Sequence, residues 1–352
     1  MAGILRQLRL SQFRCFDSLD LAPGPFRTFV VGRNAQGKTS ILEAACILLR
    51  LQSPRTSTLA EAVKFGCSAC AIDGRFGDTH LAFHWQDGTR RIALDSKPQT
   101  RPDDYLNTAR VAWFANSDLD LVRGGGSARR RYLDFLGIQS VPGYRSALRA
   151  FERALRSRNA LLRDNRPRKE IEAFDHPLAE NGDALTSFRA GLCRILAPLA
   201  NSACGEISGS SDTVALSHQP GASSPLLEAL AASQEQEIRL RQTIVGPHRD
   251  DVTLLVNNAP AASFASEGQQ RSLAIALKLA QARHLESVLG VPPILLLDDV
   301  FGELDADRRN RLLEALPRGA QAIITTTFLD WTGPGPDDVV LALADGRLSS
   351  AS

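Results

Sequence analysis

Long apolar stretches are absent from this 352-residue sequence. Its longest apolar runs, Ala44–Leu49 and Val291–Leu297, fall far short of the roughly 18 residues that a membrane-spanning helix needs. The amino-terminal residues MAGILRQLRL also lack the apolar region and the small-residue cleavage site of a secretory signal. The sequence therefore predicts a protein without a membrane span or a secretory signal, and we expect it in the cytoplasm.

Lysine, cysteine and aromatic residues are scarce. Lysine accounts for five of the 41 basic residues, which makes the setting of Lys38 informative. Among six cysteines only Cys67 and Cys70 form a C-x-x-C pair. One such pair, without a second pair or a histidine cluster, favours structural thiols over a zinc site.

The remaining composition is that of an ordinary globular protein. Hydrophobic residues make up 43% and charged residues 23% of the chain, which excludes wholesale disorder. At roughly 150 residues per domain, the chain has room for two or three domains. Its net charge of +2 says nothing by itself about partners.

The amino-terminal part alternates strands and helices. Apolar Ile4, Leu8 and Leu10 predict a strand, a turn follows over Asp20–Arg27, and Phe29–Val31 is a short apolar strand. The further predicted elements are a helix from Thr39 and an antiparallel hairpin of Cys70–Phe76 with His80–Trp85, followed by a turn at Asp87–Gly88.

The middle of the chain has a different character. The glycine run Gly124–Gly126 marks a boundary, beyond which the chain is arginine-rich and helical to about Leu199, and Gly205–Pro225 predicts a loop or weak hairpin. Strand-and-turn character returns near Val245. The later predicted elements are helices at Gln269–Val288 and Asp305–Ala315 and strands at Ile294–Leu297 and Ala322–Thr325. We therefore predict an α/β lobe made of residues 1–117 and 245–352, with a mostly helical lobe, residues 118–244, inserted.

A phosphate-binding motif follows the Phe29–Val31 strand. Residues 32–39, GRNAQGKT, match G-x-x-x-x-G-K-[ST] between a strand and a helix, a context that a chance glycine turn rarely has. Backbone N–H groups there bind phosphate, Lys38 reaches the β- and γ-phosphates as a catalytic cation, and the Thr39 hydroxyl ligates Mg²⁺. The predicted nucleotide-binding residues are Gly32, Arg33, Asn34, Ala35, Gln36, Gly37, Lys38, Thr39 and Ser40.

A second acidic element ends an apolar strand. Ile294–Leu297 is followed by Asp298 and Asp299, and ligands collect at the carboxyl ends of such strands. We predict that Asp298 holds Mg²⁺, directly or through water, and that Asp299 orients or deprotonates the attacking water. The alternative is a pair of solvated acids before a helix, and Asp305 fits either a helix N-cap or a dimer contact.

The stretch Ser266-Glu267-Gly268-Gln269 resembles the signature of ABC-type ATPases. That resemblance implies that Ser266, Gly268 and Gln269 contact the γ-phosphate held by an opposite subunit, in an ATP-dependent homodimer. The alternative is a polar helix cap, because Ser and Glu suit one.

Basic charge is concentrated in Arg123–Lys169. This segment holds thirteen basic and three acidic residues, a net charge of +10, which leaves −8 for the rest of the chain. The arginines at 145, 149, 153 and 156 share a helical face, and the counter-charge is either DNA phosphate or an acidic patch of the protein itself. Because aromatic residues are sparse there, we expect largely sequence-independent backbone contacts. The predicted DNA-binding residues are Arg129, Arg130, Arg131, Arg145, Arg149, Arg153 and Arg156.

In combination these motifs resemble the RecF family of bacterial DNA replication and repair ATPases, which are related to SMC-like ABC ATPases. The matching segments, in family order, are GRNAQGKTSILEA, DLDLVRGGGSARRRYLDF (Asp118–Phe135), VGPHRDD (Val245–Asp251), SEGQQRSLAIALKLA and PILLLDDVFGELD. The resemblance implies an ABC-type P-loop ATPase head, lobe I, with the inserted lobe II. It further implies a weak, DNA-stimulated ATPase that uses ATP and Mg²⁺, dimerises with ATP, binds gapped or junction DNA, and works with RecO and RecR to load RecA.

Two departures from the family pattern lie near the expected nucleotide. Ser53-Pro54-Arg55-Thr56 stands where the family commonly has Ser-His-Arg-Thr, and Phe114–Leu119 reads FANSDL instead of FSPEDL. At the switch position, often His in ABC proteins, this chain has threonines, of which Thr326 is the predicted γ-phosphate sensor. These departures leave an inactive paralogue open.

Two other functions compete with this interpretation. A transporter-type ATPase shares the phosphate loop and the signature, but not the arginine-rich insertion. An SMC-like tether that binds nucleotide with little turnover requires long heptads, and Arg145–Arg163 is too short for such a coiled coil.

Overall fold

The computed structural model describes residues 3–56, 58–223, 225–329 and 334–350. The chain forms two compact units, one of Met1–Asp118 with Gln281–Ser352 and one of Leu119–Ala280. The strands are β1 (Leu5–Phe13), β2 (Phe16–Leu21), β3 (Arg27–Val31), β4 (Ala69–Phe76), β5 (Thr79–Gln86), β6 (Thr89–Leu94), β7 (Lys97–Pro98), β8 (Val111–Ala115), β9 (Val214–Gln219), β10 (Asp251–Val256), β11 (Ala259–Pro260), β12 (Ile294–Asp298), β13 (Ala322–Thr326), β14 (Val339–Ala344) and β15 (Arg347–Ser350). The helices are α1 (Lys38–Arg50), α2 (Asp103–Asn107), α3 (Asp120–Arg123), α4 (Gly126–Ser140), α5 (Tyr144–Arg163), α6 (Arg168–Glu172), α7 (Asp175–Ser208), α8 (Leu226–Leu240), α9 (Ala261–Phe264), α10 (Glu267–Leu289) and α11 (Ala306–Ala315).

A parallel sheet is the centre of the first unit. Its strand order is β15-β14-β3-β13-β12-β8, and every neighbouring pair is parallel except β14 with β15. Strands β12 and β13 are buried almost throughout because both faces of the sheet are covered. The carboxyl ends of β3 and β12 therefore meet at one edge, which places Gly32 near Asp298.

An antiparallel sheet forms the other layer of this unit, in the order β2-β1-β4-β5-β6-β7. The predicted hairpin of β4 with β5 is confirmed. The predicted turn at Asp20–Arg27 joins β2 to β3, and the sequence pattern missed a tighter β1–β2 hairpin, which turns at Arg14 and Cys15. Helix α1 contacts strands of both sheets, and this explains why nearly all of its residues are buried.

The second unit combines helices with a small sheet. Helix α5 packs against α7 through a buried face of Tyr144, Ala147, Phe151, Ala154 and Leu162, the i, i+3, i+4 spacing of an amphipathic helix. Strands β9, β10 and β11 form an antiparallel sheet, and α7 packs on β9.

Two features of this region differ from the pattern that the sequence predicts. Helix α7 continues to Ser208 and β9 occupies Val214–Gln219, within the stretch predicted as a loop or weak hairpin. The second unit also ends at Ala280 instead of residue 244. Strand β10 pairs along its whole length with β9, a partner that sequence periodicity does not reveal, so the chain that follows residue 244 joins the second unit.

Candidate functional site

The phosphate loop connects β3 to α1 in a conformation that depends on glycine. Gly37 has φ 98°, and a Cβ there would lie 2.6 Å from the Cys15 Sγ. A Cβ on Gly32 would lie 2.6 Å from the carbonyl oxygen of Leu343. Both positions therefore require glycine on steric grounds.

The side chain of Lys38 donates hydrogen bonds to the backbone of this loop. Its Nζ donates to the carbonyl oxygens of Gly32, at 2.6 Å, and Arg33, at 3.0 Å, and the residue is 7% exposed. Burial lowers the pKa of the ammonium, while Asp299 and Asp298 oppose that shift. The loop is thus curled around a cation at the first turn of α1, where backbone N–H groups also favour anions.

Thr39 and Asp298 meet at the edge of the sheet. The Thr39 Oγ1 donates to Asp298 Oδ1 at 2.8 Å, and the Thr325 hydroxyl donates to the same oxygen at 2.9 Å. Burial raises the pKa of Asp298, and the two hydroxyls counteract the shift. A hydroxyl and a carboxylate side by side are oxygen ligands of the kind that Mg²⁺ accepts beside nucleotide phosphates.

Asp299 is held in a strained position. Its φ is 52°, its N–H donates to the Thr325 carbonyl oxygen at 3.2 Å, and its own carbonyl accepts from Asn116 Nδ2 at 3.3 Å. Burial raises the pKa of its carboxyl, and Lys38 opposes this. Its Oδ1 is buried without a hydrogen-bond partner among the described residues, so a carboxylate oxygen stands ready for a further ligand.

An open cavity of about 890 Å³ unites these groups. Six of the predicted nucleotide-binding residues line it, with both aspartates: Asn34, Ala35, Gly37, Lys38, Thr39, Ser40, Asp298 and Asp299. Gly32 and Arg33 contribute their carbonyls to Lys38 instead. The Gln36 Oε1 accepts from the Asp345 N–H at 3.0 Å, which directs that side chain to the β14–β15 turn.

Sequence reasoning missed a charged cluster beside the cavity. The fully buried Glu43 accepts from Arg14 at 2.6 and 2.9 Å, from Ser53 at 2.6 Å and from Arg55 at 3.0 Å, and both arginines line the cavity. The sequence did contain one signal of this cluster, because Glu43 is an acidic residue within the apolar sequence of α1. A carboxylate is tolerable in a buried position only when it has a partner.

The predicted sensor Thr326 finds no support in this geometry. Its side chain is 1% exposed and its hydroxyl donates to the Phe328 carbonyl oxygen at 2.8 Å. The neighbouring Thr325 makes the contact with Asp298 instead, because successive residues of a strand point to opposite faces of the sheet.

The signature-like stretch begins α10 in the second unit. The Ser266 Oγ accepts from the Gln269 N–H at 3.2 Å and the Gln269 Oε1 accepts from the Ser266 N–H at 2.9 Å, a reciprocal capping box. The Gln269 Nε2 also donates to both oxygens of Asp212, at 3.1 and 3.2 Å. The cap interpretation therefore holds within one chain, and it leaves Ser266 exposed.

The structure separates the predicted DNA-binding arginines into two groups. Arg129 pairs with Asp251 at 2.6 and 3.0 Å, and Arg130 donates to the Asp250 carbonyl oxygen at 2.6 Å. Burial and the nearby Arg189 lower the pKa of Arg130. Both side chains are committed to internal contacts, which is the alternative in which the protein itself supplies the counter-charge.

The remaining arginines have another setting. Arg131 on α4 is exposed, and Arg145, at the start of α5, is half-buried. Arg149, Arg153 and Arg156 are exposed on α5, opposite the face that packs on α7. The Glu152 carboxylate lies 4.0 Å from Arg156.

The cysteines and acidic groups of the described residues form no further metal site. Cys67 Sγ donates to Gln12 Oε1 at 3.0 Å, and burial raises the pKa of the Cys70 thiol to about 11. Within residues 3–56, 58–223, 225–329 and 334–350, no group of three or more His, Cys, Asp or Glu side chains is placed to hold a metal ion. A Mg²⁺ at Thr39 and Asp298 would share its coordination with nucleotide phosphates and water.

Comparison with known proteins defines the family. Residues 27–326 match a family model described as "AAA domain, putative AbiEii toxin, Type IV TA system". The DNA replication and repair protein RecF of Rippkaea orientalis is 38% identical, over 92% of this chain and 93% of its own. That of Anaeromyxobacter sp. is 38% identical over 98% of each. The chain belongs to the RecF family.

Solved structures agree with this membership. One, "Structure of the recombination mediator protein RecF-ATPrS in RecFOR pathway", has a TM-score of 0.89 and 27% identity, and the match covers 100% of this chain and 99% of that one. An SMC head bound to the C-winged helix domain of ScpA has a TM-score of 0.56 at 13% identity, over 99% of this chain and 97% of that one, and shows the shared fold alone. The predicted ABC-type α/β head is confirmed.

RecF membership also decides against the transporter-type ATPase. In the described part of the chain, moreover, the structure has no helix with the length and apolarity that crossing a membrane requires.

The departures from the RecF pattern retain definite roles. Ser53 accepts from the N–H groups of Arg55 and Thr56, so the turn around Pro54 is intact, and Asn116 supports the backbone of Asp299.

Proposed function

We propose that this RecF-family chain is an ATP-dependent DNA-binding protein of recombinational repair and replication. In this role it dimerises with ATP, binds gapped or junction DNA, and promotes RecA loading together with RecO and RecR. The observation that carries the proposal is the assembled cavity of Lys38, Thr39, Asp298 and Asp299. A related structure described as RecF-ATP in the RecFOR pathway, with a TM-score of 0.89, supports both the nucleotide and the pathway.

Each of the cavity residues has a separate role in ATP hydrolysis. Lys38 would exchange its carbonyl partners for the β- and γ-phosphate oxygens. Thr39 and Asp298 would hold Mg²⁺, which would neutralise phosphate charge. Asp299 has a free carboxylate oxygen and a pKa raised by burial, properties suited to accepting a proton from the attacking water.

Measuring ATP hydrolysis with and without gapped DNA tests this function. We expect slow turnover that gapped DNA accelerates. An SMC-like tether predicts turnover that is negligible in both conditions, and an inactive paralogue predicts no hydrolysis at all. Either result contradicts the proposal.

We expect Ser266→Arg to prevent ATP-dependent dimerisation while the monomer still binds ATP. In ABC-type ATPases the signature serine contacts a γ-phosphate that another chain holds. Ser266 is exposed at the start of α10, and arginine would fill the space that this contact needs. Analytical ultracentrifugation with and without ATP measures the effect. A dimer that persists in the variant, or a stable wild-type dimer without nucleotide, contradicts this assembly.

Ser266→Asp separates phosphate contact from helix capping. Aspartate caps a helix about as well as serine, so the variant should fold like the wild type, yet its charge opposes a facing γ-phosphate. We expect dimerisation to fail in this variant also. Wild-type dimerisation would show that Ser266 serves only as a cap.

We expect the double variant Arg149→Glu/Arg153→Glu to weaken DNA binding and leave ATP binding unchanged. Both arginines are exposed on α5 and point away from its packed face, so their reversal changes surface charge. In a plot of log K against log salt, each lost phosphate contact removes about 0.9 from the slope on duplex DNA. The slope should therefore flatten by about one to two units.

A matched control reverses two other arginines of the same basic segment. Arg166 and Arg168 are exposed and already pair with Glu170 and Glu172 on α6, so Arg166→Glu/Arg168→Glu makes the same change in net charge. We expect a smaller loss of DNA affinity in this control. Equal losses would mean that net charge, and not the α5 face, determines binding.

A further inference from the structure

The nucleotide cavity has a phosphate end and a far wall. Lys38, Thr39 and Asp298 define the phosphate end. The far wall consists of residues 60, 61 and 63–67, together with Arg14. A nucleoside triphosphate whose phosphates lie at the loop has to extend its ribose and base toward other lining residues, and this wall is the one without assigned ligands.

The far wall is anchored to the β1–β2 hairpin. The Lys64 N–H donates to the Gln12 carbonyl oxygen at 2.8 Å, and the Arg14 N–H donates to the Ala62 carbonyl oxygen at 2.8 Å. The Lys64 ammonium lies 2.6 Å from Asp17, and Cys67 Sγ donates to Gln12. The backbone on either side of residue 65 therefore has a defined position.

Phe65 stands on this anchored backbone without packing partners among the described residues. It is 100% exposed, more than any other large hydrophobic residue described, and it is the one aromatic residue among the described lining of the cavity. Leaving a phenyl ring in water forfeits the free energy that its burial would contribute. A ligand with a flat apolar face would recover it.

The charged neighbours of Phe65 are already engaged. The Arg14 guanidinium donates to Glu43 and to the Glu61 carbonyl oxygen, and Lys64 pairs with Asp17. The far wall thus offers an aromatic face in place of free cations, which suits the base of a nucleotide better than its phosphates.

We propose that Phe65 stacks on the nucleobase of the bound nucleoside triphosphate. The inference rests on the proposed function, in which the Lys38 loop binds the triphosphate. Stacking depends on the face of the base and not on its hydrogen-bonding edge, so Phe65 favours purines by their larger area. It discriminates weakly between adenine and guanine.

Isothermal titration of Phe65→Ala with ATP and with inorganic tripolyphosphate, both with Mg²⁺, tests the proposal. The variant should bind ATP about tenfold more weakly, within the range of base–aromatic stacking, and bind tripolyphosphate like the wild type. Phe65→Trp should restore ATP affinity, and ATP but not tripolyphosphate should change its added tryptophan emission. Phe26→Ala removes an exposed aromatic residue outside this cavity and should alter neither affinity.

Three other outcomes would contradict the proposal, each for a different reason. Unchanged ATP affinity in Phe65→Ala, with or without a loss of dimerisation, means that the ring contacts something other than the base. Equal weakening of ATP and tripolyphosphate means that the loop was distorted. A wild-type protein that binds neither probe contradicts the proposed function itself.

Discussion

Replacing Lys38 with alanine is expected to weaken ATP binding by at least about 100-fold, measured by titration calorimetry. The change removes the ammonium that the loop encloses, and with it charge-assisted hydrogen bonds that contribute roughly 1.5–3 kcal/mol each. Two such bonds correspond to about 100-fold or more in affinity. Hydrolysis should disappear with binding.

Lys64→Ala is the matched control for this variant. Lys64 lines the same cavity, but its ammonium pairs with the exposed Asp17 at the far wall. Removing it takes one lysine charge from the cavity and leaves both the phosphate loop and the Lys64 backbone contact with Gln12 intact, so the loss of ATP affinity should be far smaller than in Lys38→Ala. If both lysine variants lose ATP equally, general charge in the cavity, and not the phosphate loop, accounts for binding.

Asp299→Asn is expected to reduce kcat for ATP hydrolysis by about 10²–10⁴-fold, the usual contribution of a general base, while ATP affinity stays near that of the wild type. The amide retains the size of the side chain but accepts a proton poorly. Steady-state kinetics and calorimetry separate the two effects, because a group that acts in the chemical step lowers kcat without weakening substrate binding.

Asp305→Asn makes the same chemical change nearby. Asp305 caps α11 by accepting from the Arg308 N–H at 2.9 Å, and asparagine caps equally well, so hydrolysis should continue at the wild-type rate. If Asp299→Asn also hydrolyses ATP like the wild type, another group activates the water.

Local sequence patterns singled out residues that the structure brings together around one cavity. The motif around Lys38, the apolar strand before Asp298 and the helical spacing after Thr39 each depend on neighbouring residues. The parallel order of β3, β13 and β12 then brings Thr39 to Asp298 across 259 positions of sequence. Motif context was sufficient to expect that meeting, because carboxyl ends of parallel strands share an edge.

Local sequence patterns could not predict which charged side chains pair with each other. Arg129 looked free for DNA because its partner, Asp251, lies 122 positions away. The partners of Glu43 were equally hidden, because Arg14 and Arg55 lie 29 and 12 positions away in the sequence. The sequence by itself determined which residue types stand at strand ends and helix starts, since these follow from periodicity and steric limits on the backbone. Only the tertiary structure decided which charges are exposed and which are paired, because pairing requires proximity in space and side chains distant in the chain meet only after the sheets and helices have packed.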